Sequence, residues 1–354
     1  MSLLLVLDSL VRDCRQLAAM VKHLSKKTLL ITSLVLNISL CMFLVPVSAR
    51  LQRLHHQLNT NGSLNFLVIG DWGRKGWYNQ SQVAVQMGII ADRLDIDFVV
   101  STGDNFYDDG LTGVDDPAFD ESFKYIYAAP SLQKQWYTVL GNHDYRGDVE
   151  AQLDPMLRKR DSRWRCLRSF IVHTDIAELF FVDTTPFVDM YFNDPKDHKY
   201  DWRGIRPREV YLTNLLKDLR SALSKSKAKW KIVVGHHGIR TTGHHCDTPE
   251  LVTHLLPLLE EYEVDFYMNG HDHCLEHMSC QDSKIRFLTS GAGSKAWLEA
   301  NKPYDKCGVK FFHHGQGFMS MKLTKKSARF VFYDVFGKAL HRWKTSLKKL
   351  HTSI

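Results

Sequence analysis

The chain has 354 residues, of which 44% are hydrophobic and 24% are charged, close to the averages for soluble globular proteins. This composition excludes a collagen-like, coiled-coil or wholly disordered chain. The formal net charge is +7, but residues 1–49 carry +3 of it and the remaining basic residues are scattered, so we predict no binding to nucleic acid.

Residues 1–49 have the organisation of a secretory signal peptide. A basic stretch, 22–27, precedes an apolar run over 29–45, and Val47-Ser48-Ala49 supplies small residues for a cleavage site. The 17-residue run is interrupted by polar side chains and is short for a membrane span, so we predict cleavage after Ala49. The alternative is a signal anchor that stays in the membrane. Because Met20 opens a more typical signal, residues 1–19 are interpreted as an optional upstream extension.

Passage through the secretory pathway permits glycosylation and disulfide formation. We therefore predict a secreted or vacuolar monomer, with no stable membrane association after cleavage, and glycans on the sequons Asn61-Gly62-Ser63 and Asn79-Gln80-Ser81. Five cysteines remain in the mature chain, so at least one is free or pairs between chains. The sequence leaves the pairing open among Cys166, Cys246, Cys274, Cys280 and Cys307.

Short apolar runs rich in β-branched residues alternate with stretches of helical period, which predicts an α/β fold of two sheets flanked by helices. The runs that end in Gly and a polar residue are Leu64–Ile69, Phe98–Thr102, Trp136–Leu140, Lys231–Val234 and Asp265–Met268. Further strands are predicted at 170–173, 179–183, 319–323 and 328–333, and helices at 83–94, 208–223 and 251–262. We assign 50–60 to a polar lead-in, 61–340 to one catalytic domain and 341–354 to a basic tail.

Five motifs follow the first group of predicted strands in order. They are Gly70-Asp71-Trp72-Gly73, Gly103-Asp104-Asn105-Phe106-Tyr107, Gly141-Asn142-His143-Asp144, Val233-Val234-Gly235-His236 and Gly270-His271-Asp272-His273. Any one of them is more often a turn than a ligand, but five in order are a strong signal. Asp, Asn, His and Tyr donors suit iron, zinc and manganese. Since a carboxylate can bridge two ions, and two ions can clamp the oxygens of a displacement at phosphorus, the set predicts binuclear chemistry.

This ordered set resembles the metallophosphoesterases and, within them, the purple acid phosphatases, whose motifs are GDxG, GDxxY, GNHD/E, VxxH and GHxH. Segments 243–248 and 289–297 resemble the low-molecular-weight plant type. The resemblance covers residues 64–340 and implies a four-layer sandwich of two mixed β-sheets flanked by helices. Trp72-Gly73 stands where Ser/Thr protein phosphatases have His-Gly, which argues against that branch.

The resemblance implies a binuclear centre of Fe(III) and a divalent ion, Fe, Zn or Mn. Its Fe(III) ligands would be Asp71, Asp104, Tyr107 and His273, and its divalent-site ligands would be Asp104, Asn142, His236 and His271, with Asp104 as the bridge. Tyr107 is the discriminating ligand, because a phenolate favours Fe(III) and gives a purple charge-transfer colour. The implied reaction is acid phosphatase hydrolysis of small phosphate monoesters by a metal-bound hydroxide, releasing alcohol and inorganic phosphate. We predict that His143 and His245 orient the phosphate and protonate the leaving group.

Two other functions are compatible with the motifs. A phosphodiesterase or nuclease of the same superfamily is disfavoured by Tyr107 and by the lack of a clear basic groove. A non-catalytic, secreted or membrane-anchored binding protein on this scaffold is disfavoured because no predicted ligand is lost. Among neighbouring residues, we expect His237 to point away from the site, and Asp144 and Asp272 to hydrogen-bond to neighbouring ligands and fix their tautomer and orientation.

Overall fold

Strands and helices alternate along residues 51–58, 62–297 and 307–346, the parts of the chain that this computed structural model describes. The strands there are β1 (Gln52–His55), β2 (Ser63–Ile69), β3 (Phe98–Ser101), β4 (Gln135–Thr138), β5 (Trp164–Cys166), β6 (Phe170–His173), β7 (Ala177–Phe181), β8 (Trp230–Val234), β9 (Phe266–Asn269), β10 (Leu275–Cys280), β11 (Arg286–Ser290), β12 (Cys307–His313), β13 (Gly317–Thr324), β14 (Ser327–Asp334) and β15 (Ala339–Ser346). The α-helices are α1 (Gln80–Leu94), α2 (Val149–Leu153), α3 (Pro155–Arg160), α4 (Met190–Asn193), α5 (Arg208–Lys225), α6 (Pro249–His254) and α7 (Leu256–Glu261). Short 3₁₀ helices cover Pro130–Leu132, Asp144–Arg146 and Thr185–Phe187, and a π-helical turn covers Asp120–Lys124.

The strands form two mixed sheets. One has the order β1-β6-β7-β8-β9-β11-β10-β12, and the other has the order β15-β14-β13-β2-β3-β4-β5. Parallel pairs β2/β3, β7/β8 and β8/β9 are joined through α1, α5 and the pair α6/α7, respectively. These are the βαβ units that the alternating pattern predicts.

Alternate residues of the central strands face different apolar cores. In β2, Leu64, Phe66 and Val68 pack between the two sheets, whereas Leu67 and Ile69 pack on the side of α1. A third core lies between the outer face of the eight-stranded sheet and helices α5, α6 and α7. Strands buried on both faces read as continuous apolar runs, as in the sequence of β2. The resulting helix–sheet–sheet–helix arrangement confirms the predicted four-layer α/β sandwich.

The predicted boundaries need three corrections. Residues 52–55 of the expected lead-in form β1, which pairs in parallel with β6. Residues 341–346 of the expected tail belong to β15, which pairs with β14, so the domain extends beyond residue 340. The single helix expected over 251–262 is two helices, with Leu255 between them. Pro257 accounts for this break, because it has no N–H to donate to the carbonyl of Thr253.

A disulfide joins Cys280 of β10 to Cys307 of β12, which answers the pairing that the sequence left open. Cys166 and Cys274 are buried free thiols, and Cys246 is exposed. Within the described residues, no helix combines the length and the apolar character needed to cross a membrane. The predicted signal segment and Asn61, the glycan acceptor of the first sequon, lie outside the described residues.

Candidate metal centre

The polar residues of the five motifs meet at one edge of the sandwich, where strands of both sheets end. Asp71, Asp104 and Asn142 follow β2, β3 and β4 of the seven-stranded sheet, whereas His236 and His271 follow β8 and β9 of the eight-stranded sheet. The strands are parallel within each group, so their carboxyl ends lie at the same edge. Motifs spread over about 200 residues of sequence thereby form one cluster.

Hydrogen bonds between the sheets fix the two halves of this cluster. Nδ1 of His236, on the eight-stranded sheet, lies 2.9 Å from the carbonyl oxygen of Thr102. The backbone N–H of His271 donates to Oδ2 of Asp71 over 3.0 Å. Each bond joins a residue after β8 or β9 to one after β2 or β3, so the relative position of the side chains is set by both sheets and not by one loop.

Glycine precedes the polar residues because the chain segments approach each other closely. A Cβ atom at Gly70 would lie 2.1 Å from Oγ1 of Thr102, and one at Gly270 would lie 2.3 Å from Oδ2 of Asp71. Neither Gly70 nor Gly270 has a positive φ. The glycines at these two positions are therefore needed for space, and the left-handed backbone lies one residue later, at Asp71 and His271.

Three predicted ligands themselves take the left-handed backbone conformation. Asp71, Asp104 and His271 have φ angles of 59°, 49° and 67°. This region is unfavourable for residues with a Cβ atom, and such residues concentrate at functional sites. Each of the three comes directly after a glycine and within three residues of a strand end, so the strained turn points the side chain toward the cluster.

Tyr107 lies at the centre of a group of acceptor atoms. Its hydroxyl oxygen is 3.0 Å from Oδ1 of Asp71, 3.0 Å from Oδ2 of Asp104 and 3.2 Å from Nε2 of His273. Nδ1 of His273 lies 2.8 Å from the carbonyl oxygen of Lys295, so it carries the proton and Nε2 presents a lone pair. One hydroxyl proton cannot satisfy three acceptors. The donor set of oxygens and a nitrogen fits a hard cation such as Fe(III).

His236 forms a second group of the same kind. Because its Nδ1 donates to a backbone carbonyl, Nε2 of the neutral ring is an acceptor, and it faces Oδ1 of Asn142 at 3.1 Å and Oδ2 of Asp104 at 3.4 Å. The His271 ring lies 5.0 Å from the His236 ring, measured between centroids. Burial lowers the pKa of His236, but the carboxylates of Asp104 and Asp71 outweigh it and raise the pKa to about 9, so either a proton or a metal cation holds these atoms together. A backbone carbonyl on the remote imidazole nitrogen is the usual support of a metal-binding histidine.

Burial makes the charges of this cluster costly in the absence of a cation. It raises the pKa of Asp71 well above its usual range, and the nearby carboxylate of Asp104 adds to the effect. Burial and the same two carboxylates raise the pKa of Tyr107 well above its usual range. An ionised phenol at this position therefore requires a strong positive charge beside it.

Comparison with known proteins agrees with this geometry. Residues 64–275 match the family model for calcineurin-like phosphoesterases. Purple acid phosphatase 3 of Arabidopsis thaliana is 61% identical over 303 residues, which cover 85% of this chain and 83% of that protein. Purple acid phosphatase 17 of the same plant is 56% identical over 334 residues, covering 93% and 99%.

The chain is a purple acid phosphatase of the calcineurin-like phosphoesterase family.

Two solved structures are also similar. The Plasmodium protein GAP50, described as the anchor in the inner membrane complex, superposes with a TM-score of 0.68 at 27% identity, covering 82% of this chain and 90% of that one. The purple acid phosphatase PPD1 of yellow lupin seeds superposes with a TM-score of 0.59 at 15% identity, covering 80% and 54%. The lupin structure supports the fold alone at that identity.

In this purple acid phosphatase, His143 and His245 lie in the wall of a cavity of about 330 Å³ above the acceptor groups. The backbone N–H of His143 donates to Oδ1 of Asp104 over 2.8 Å, and its ring lies 4.4 Å from that of Tyr107. The His245 ring stacks on His271 with centroids 4.0 Å apart. The structure therefore brings together all seven predicted ligands and both predicted proton-transfer residues.

The same cavity has lining residues that the motifs did not single out. They are Arg74, Asp108, Arg146, Met190, Tyr191, Lys295 and Trp297. Three cations among them give the cavity a positive wall suited to phosphate. Arg146 lies two residues after the third motif, in the 3₁₀ helix Asp144–Arg146, and its Nη1 lies 3.0 Å from Nδ1 of His143. A charged residue close to a motif is a signal by which sequence analysis could have found Arg146. No signal in the sequence indicated that Met190 and Tyr191, on α4, line the cavity.

The roles expected for Asp144 and Asp272 differ from those observed. Asp144 accepts from the backbone N–H of Gly141 over 2.8 Å and of Asn105 over 3.0 Å. Asp272 accepts from the backbone N–H of His245 over 2.8 Å. These carboxylates hold the loops that carry the site residues. The prediction that they fix ligand tautomers is wrong for His236 and His273, whose Nδ1 atoms face backbone carbonyls.

His237 also needs correction, because it does not point away. It is buried, and its ring lies 4.4 Å from that of His271. Its nitrogen atoms are nevertheless engaged: Nδ1 lies 3.0 Å from Oγ1 of Thr184 and Nε2 lies 3.0 Å from the hydroxyl of Tyr191. Burial lowers its pKa well below the usual range, so the ring is neutral. Hydroxyl groups thus occupy both nitrogens of His237, although one of them lies within 4.8 Å of ring nitrogens of His236 and His271.

Proposed function

We propose that this purple acid phosphatase hydrolyses phosphate monoesters to alcohol and inorganic phosphate at an Fe(III)–M(II) centre, with M being Fe, Zn or Mn. The Fe(III) ligands would be Asp71, Asp104, Tyr107 and His273, and the M(II) ligands would be Asp104, Asn142, His236 and His271. The observation that carries this assignment is the Tyr107 hydroxyl, which faces three acceptors at 3.0–3.2 Å. When bound, the two ions supply an activated water and neutralise charge on the phosphate.

The surrounding side chains support binding and proton transfer. Arg74, Arg146 and Lys295 line the cavity and would attract the phosphate dianion. His143 and His245 would contact the phosphate and the leaving oxygen. Partial burial and the charges of neighbouring histidines lower the pKa of His245 to about 4, so we expect this imidazole to hold a proton only when an anion lies beside it.

Metal analysis and a visible absorption spectrum of the purified protein test the assignment. We expect about two metal ions per chain, one of them iron, and a visible band that Tyr107→Phe abolishes without unfolding the protein. Tyr125→Phe is the matched control, because Tyr125 is an exposed tyrosine that does not line the cavity. Persistence of the band in Tyr107→Phe would contradict the ligand assignment.

The two alternative functions, phosphodiesterase and non-catalytic binding protein, predict different results in assays of ester hydrolysis. A phosphodiesterase would hydrolyse diphenyl phosphate faster than phenyl phosphate, and we expect the reverse. A non-catalytic binding protein would hydrolyse neither ester even with both metals bound. The similarity to GAP50 is a likeness of sequence and fold, whereas relatives more than 50% identical over most of the chain are acid phosphatases by name.

We further propose that the mature protein begins at Arg50, is secreted or vacuolar, and is a monomer. The apolar run at 29–45 and the small residues at 47–49 support cleavage. N-terminal sequencing of protein from the host cells, followed by light scattering, tests both points. Recovery of the intact segment only with membranes would favour the signal anchor.

A further inference from the structure

A second cavity adjoins the one above the candidate metal centre. It has a volume of about 500 Å³ and shares Arg74 and Asp108 with the first cavity. The two shared side chains form an ion pair of 2.7 Å. The second cavity is also lined by Trp77 and Tyr78, whose side chains are 73% and 55% exposed. Large aromatic side chains exposed together beside a site are typical of a ligand-binding surface.

Hydrogen bonds to one buried side chain hold the loop that carries Trp77 and Tyr78. Oε1 of the fully buried Gln80 accepts from the backbone N–H of Arg74 over 3.0 Å and of Gly76 over 2.7 Å. Its Nε2 donates to the carbonyl of Ser122 over 2.8 Å. Tyr78 itself has a left-handed backbone, with φ of 53°. The aromatic side chains are therefore presented to solvent by an ordered loop, which limits the entropy lost when a ligand binds.

Two cationic side chains connect the exposed aromatic residues Trp77 and Tyr78 to the first cavity. Cζ of Arg74 lies 5.5 Å from the centroid of the Tyr78 ring, and Nζ of Lys295 lies 5.8 Å from the same centroid. Both Arg74 and Lys295 line the first cavity. A ligand with its phosphate against these cations would have its next atoms beside Tyr78 and Trp77.

We propose that Trp77 and Tyr78 form an aromatic subsite that binds the leaving group of phosphate monoesters whose alcohol carries a flat aromatic ring. The inference rests on the proposed phosphatase function and specifies its substrate class. A flat ring can stack on either aromatic side chain, whereas an alicyclic ring of similar size contacts it less closely. Stacking of this kind changes binding by about three- to tenfold.

A pair of substrates with matched chemistry tests the subsite. The ratio of kcat/KM for 2-phenylethyl phosphate to that for 2-cyclohexylethyl phosphate isolates ring recognition, because both leaving groups are primary alkoxides. We expect Trp77→Ala or Tyr78→Ala to lower this ratio by about three- to tenfold, and Trp77→Phe to keep most of it. Phe336→Ala is the control, because Phe336 is 82% exposed on the turn between β14 and β15 and lines neither cavity.

Three outcomes would overturn the proposal. The ratio could be near one in the unaltered protein, or it could respond equally to Trp77→Ala and Phe336→Ala. The ratio could also be near one in the unaltered protein and rise above one in Asn79→Gln. That result would mean that the aromatic side chains pack against a glycan on the adjacent sequon. Competitive binding of the two corresponding phosphonates measures the same preference without turnover. A protein that binds both phosphonates but hydrolyses neither ester would contradict the phosphatase function and still test the subsite.

Discussion

The candidate centre has a floor and a rim that are built differently. The floor consists of the seven predicted ligands, which follow strands of both sheets and are joined across them by bonds such as that from His271 to Asp71. The rim consists of the cavity-lining residues from the connecting segments. Single buried polar side chains hold these segments: Gln80 holds the loop of Arg74, and Asp272 holds the loop of His245.

Because the floor and the rim are held differently, they should respond differently to substitution. The floor is fixed by strand ends of the eight-stranded and the seven-stranded sheet, so moving one ligand requires moving a strand end. The rim can change shape, charge or protonation without disturbing the sheets. We therefore expect changes in the floor to abolish metal binding and activity together, and changes in the rim to give graded effects that depend on substrate or pH.

The largest effect should come from His236→Ala in the floor. Loss of a residue supporting a metal ligand costs about 10- to 100-fold, so removal of a ligand itself should cost well over about 100-fold in activity, with loss of divalent metal. Asn142→Ala and His271→Ala should act in the same direction. Metal content and phosphomonoesterase activity are measured on the same preparations.

The adjacent His237 is the matched control for that prediction. His237→Ala should retain most activity and metal, but it should destabilise the fold by about 1–3 kcal/mol, because the hydroxyls of Thr184 and Tyr191 lose their partner. Equal loss of metal in His236→Ala and His237→Ala would show that the ligand has been assigned to the wrong histidine.

A smaller and selective effect should come from His245→Ala in the rim. We expect a loss of about 100-fold with alkyl phosphates, whose alkoxide needs a proton to depart, and a much smaller loss with activated aryl phosphates. Activity should peak at acidic to mildly acidic pH. The measurement is kcat/KM across a series of leaving groups. Equal loss for all leaving groups would make His245 a phosphate-positioning residue and direct the search for the proton donor to His143.

The prediction with the least influence on activity concerns Glu276, which holds the segment before His245. Burial raises the pKa of Glu276 to about 7. The hydroxyl of Thr241 lies 2.8 Å from Oε2 of Glu276 and 2.8 Å from Oδ2 of Asp272, and its one proton cannot serve both. Because the folded pKa is raised above 4.5, the stabilisation is complete below about pH 4.5 and is lost as the pH rises through about 7.

Chemical unfolding at pH 5 and pH 8 measures this effect. The unaltered protein should lose up to about 3 kcal/mol more than Glu276→Gln between the two pH values. Glu261→Gln is the control, because Glu261 is an exposed glutamate paired with Arg220. The same pH dependence in Glu276→Gln and in the unaltered protein would contradict the assignment.

The floor could be predicted from the sequence because each part of it is local. A buried strand is a run of apolar residues, and the residue after its end is fixed by the chain itself, as for Asp71 after β2. The ordered motifs, the donor chemistry and the resemblance to purple acid phosphatases therefore gave all seven residues that the structure brings together. Edge strands were missed: β15 has partly exposed residues and reads as a basic tail until its pairing with β14 is seen.

What only the tertiary structure decided depends on contacts between segments distant in sequence. The Cys280–Cys307 disulfide follows from the pairing of β10 with β12, and the bonds that occupy both nitrogens of His237 come from Thr184 and Tyr191. The placement of Trp77 and Tyr78 brings their loop beside Lys295, more than 200 residues later in the sequence. The sequence determined which residues can supply metal ligands, since ligand chemistry belongs to the side chain. Packing determined which nitrogen atoms remain free and what surrounds them, because both depend on neighbours that the local sequence does not contain.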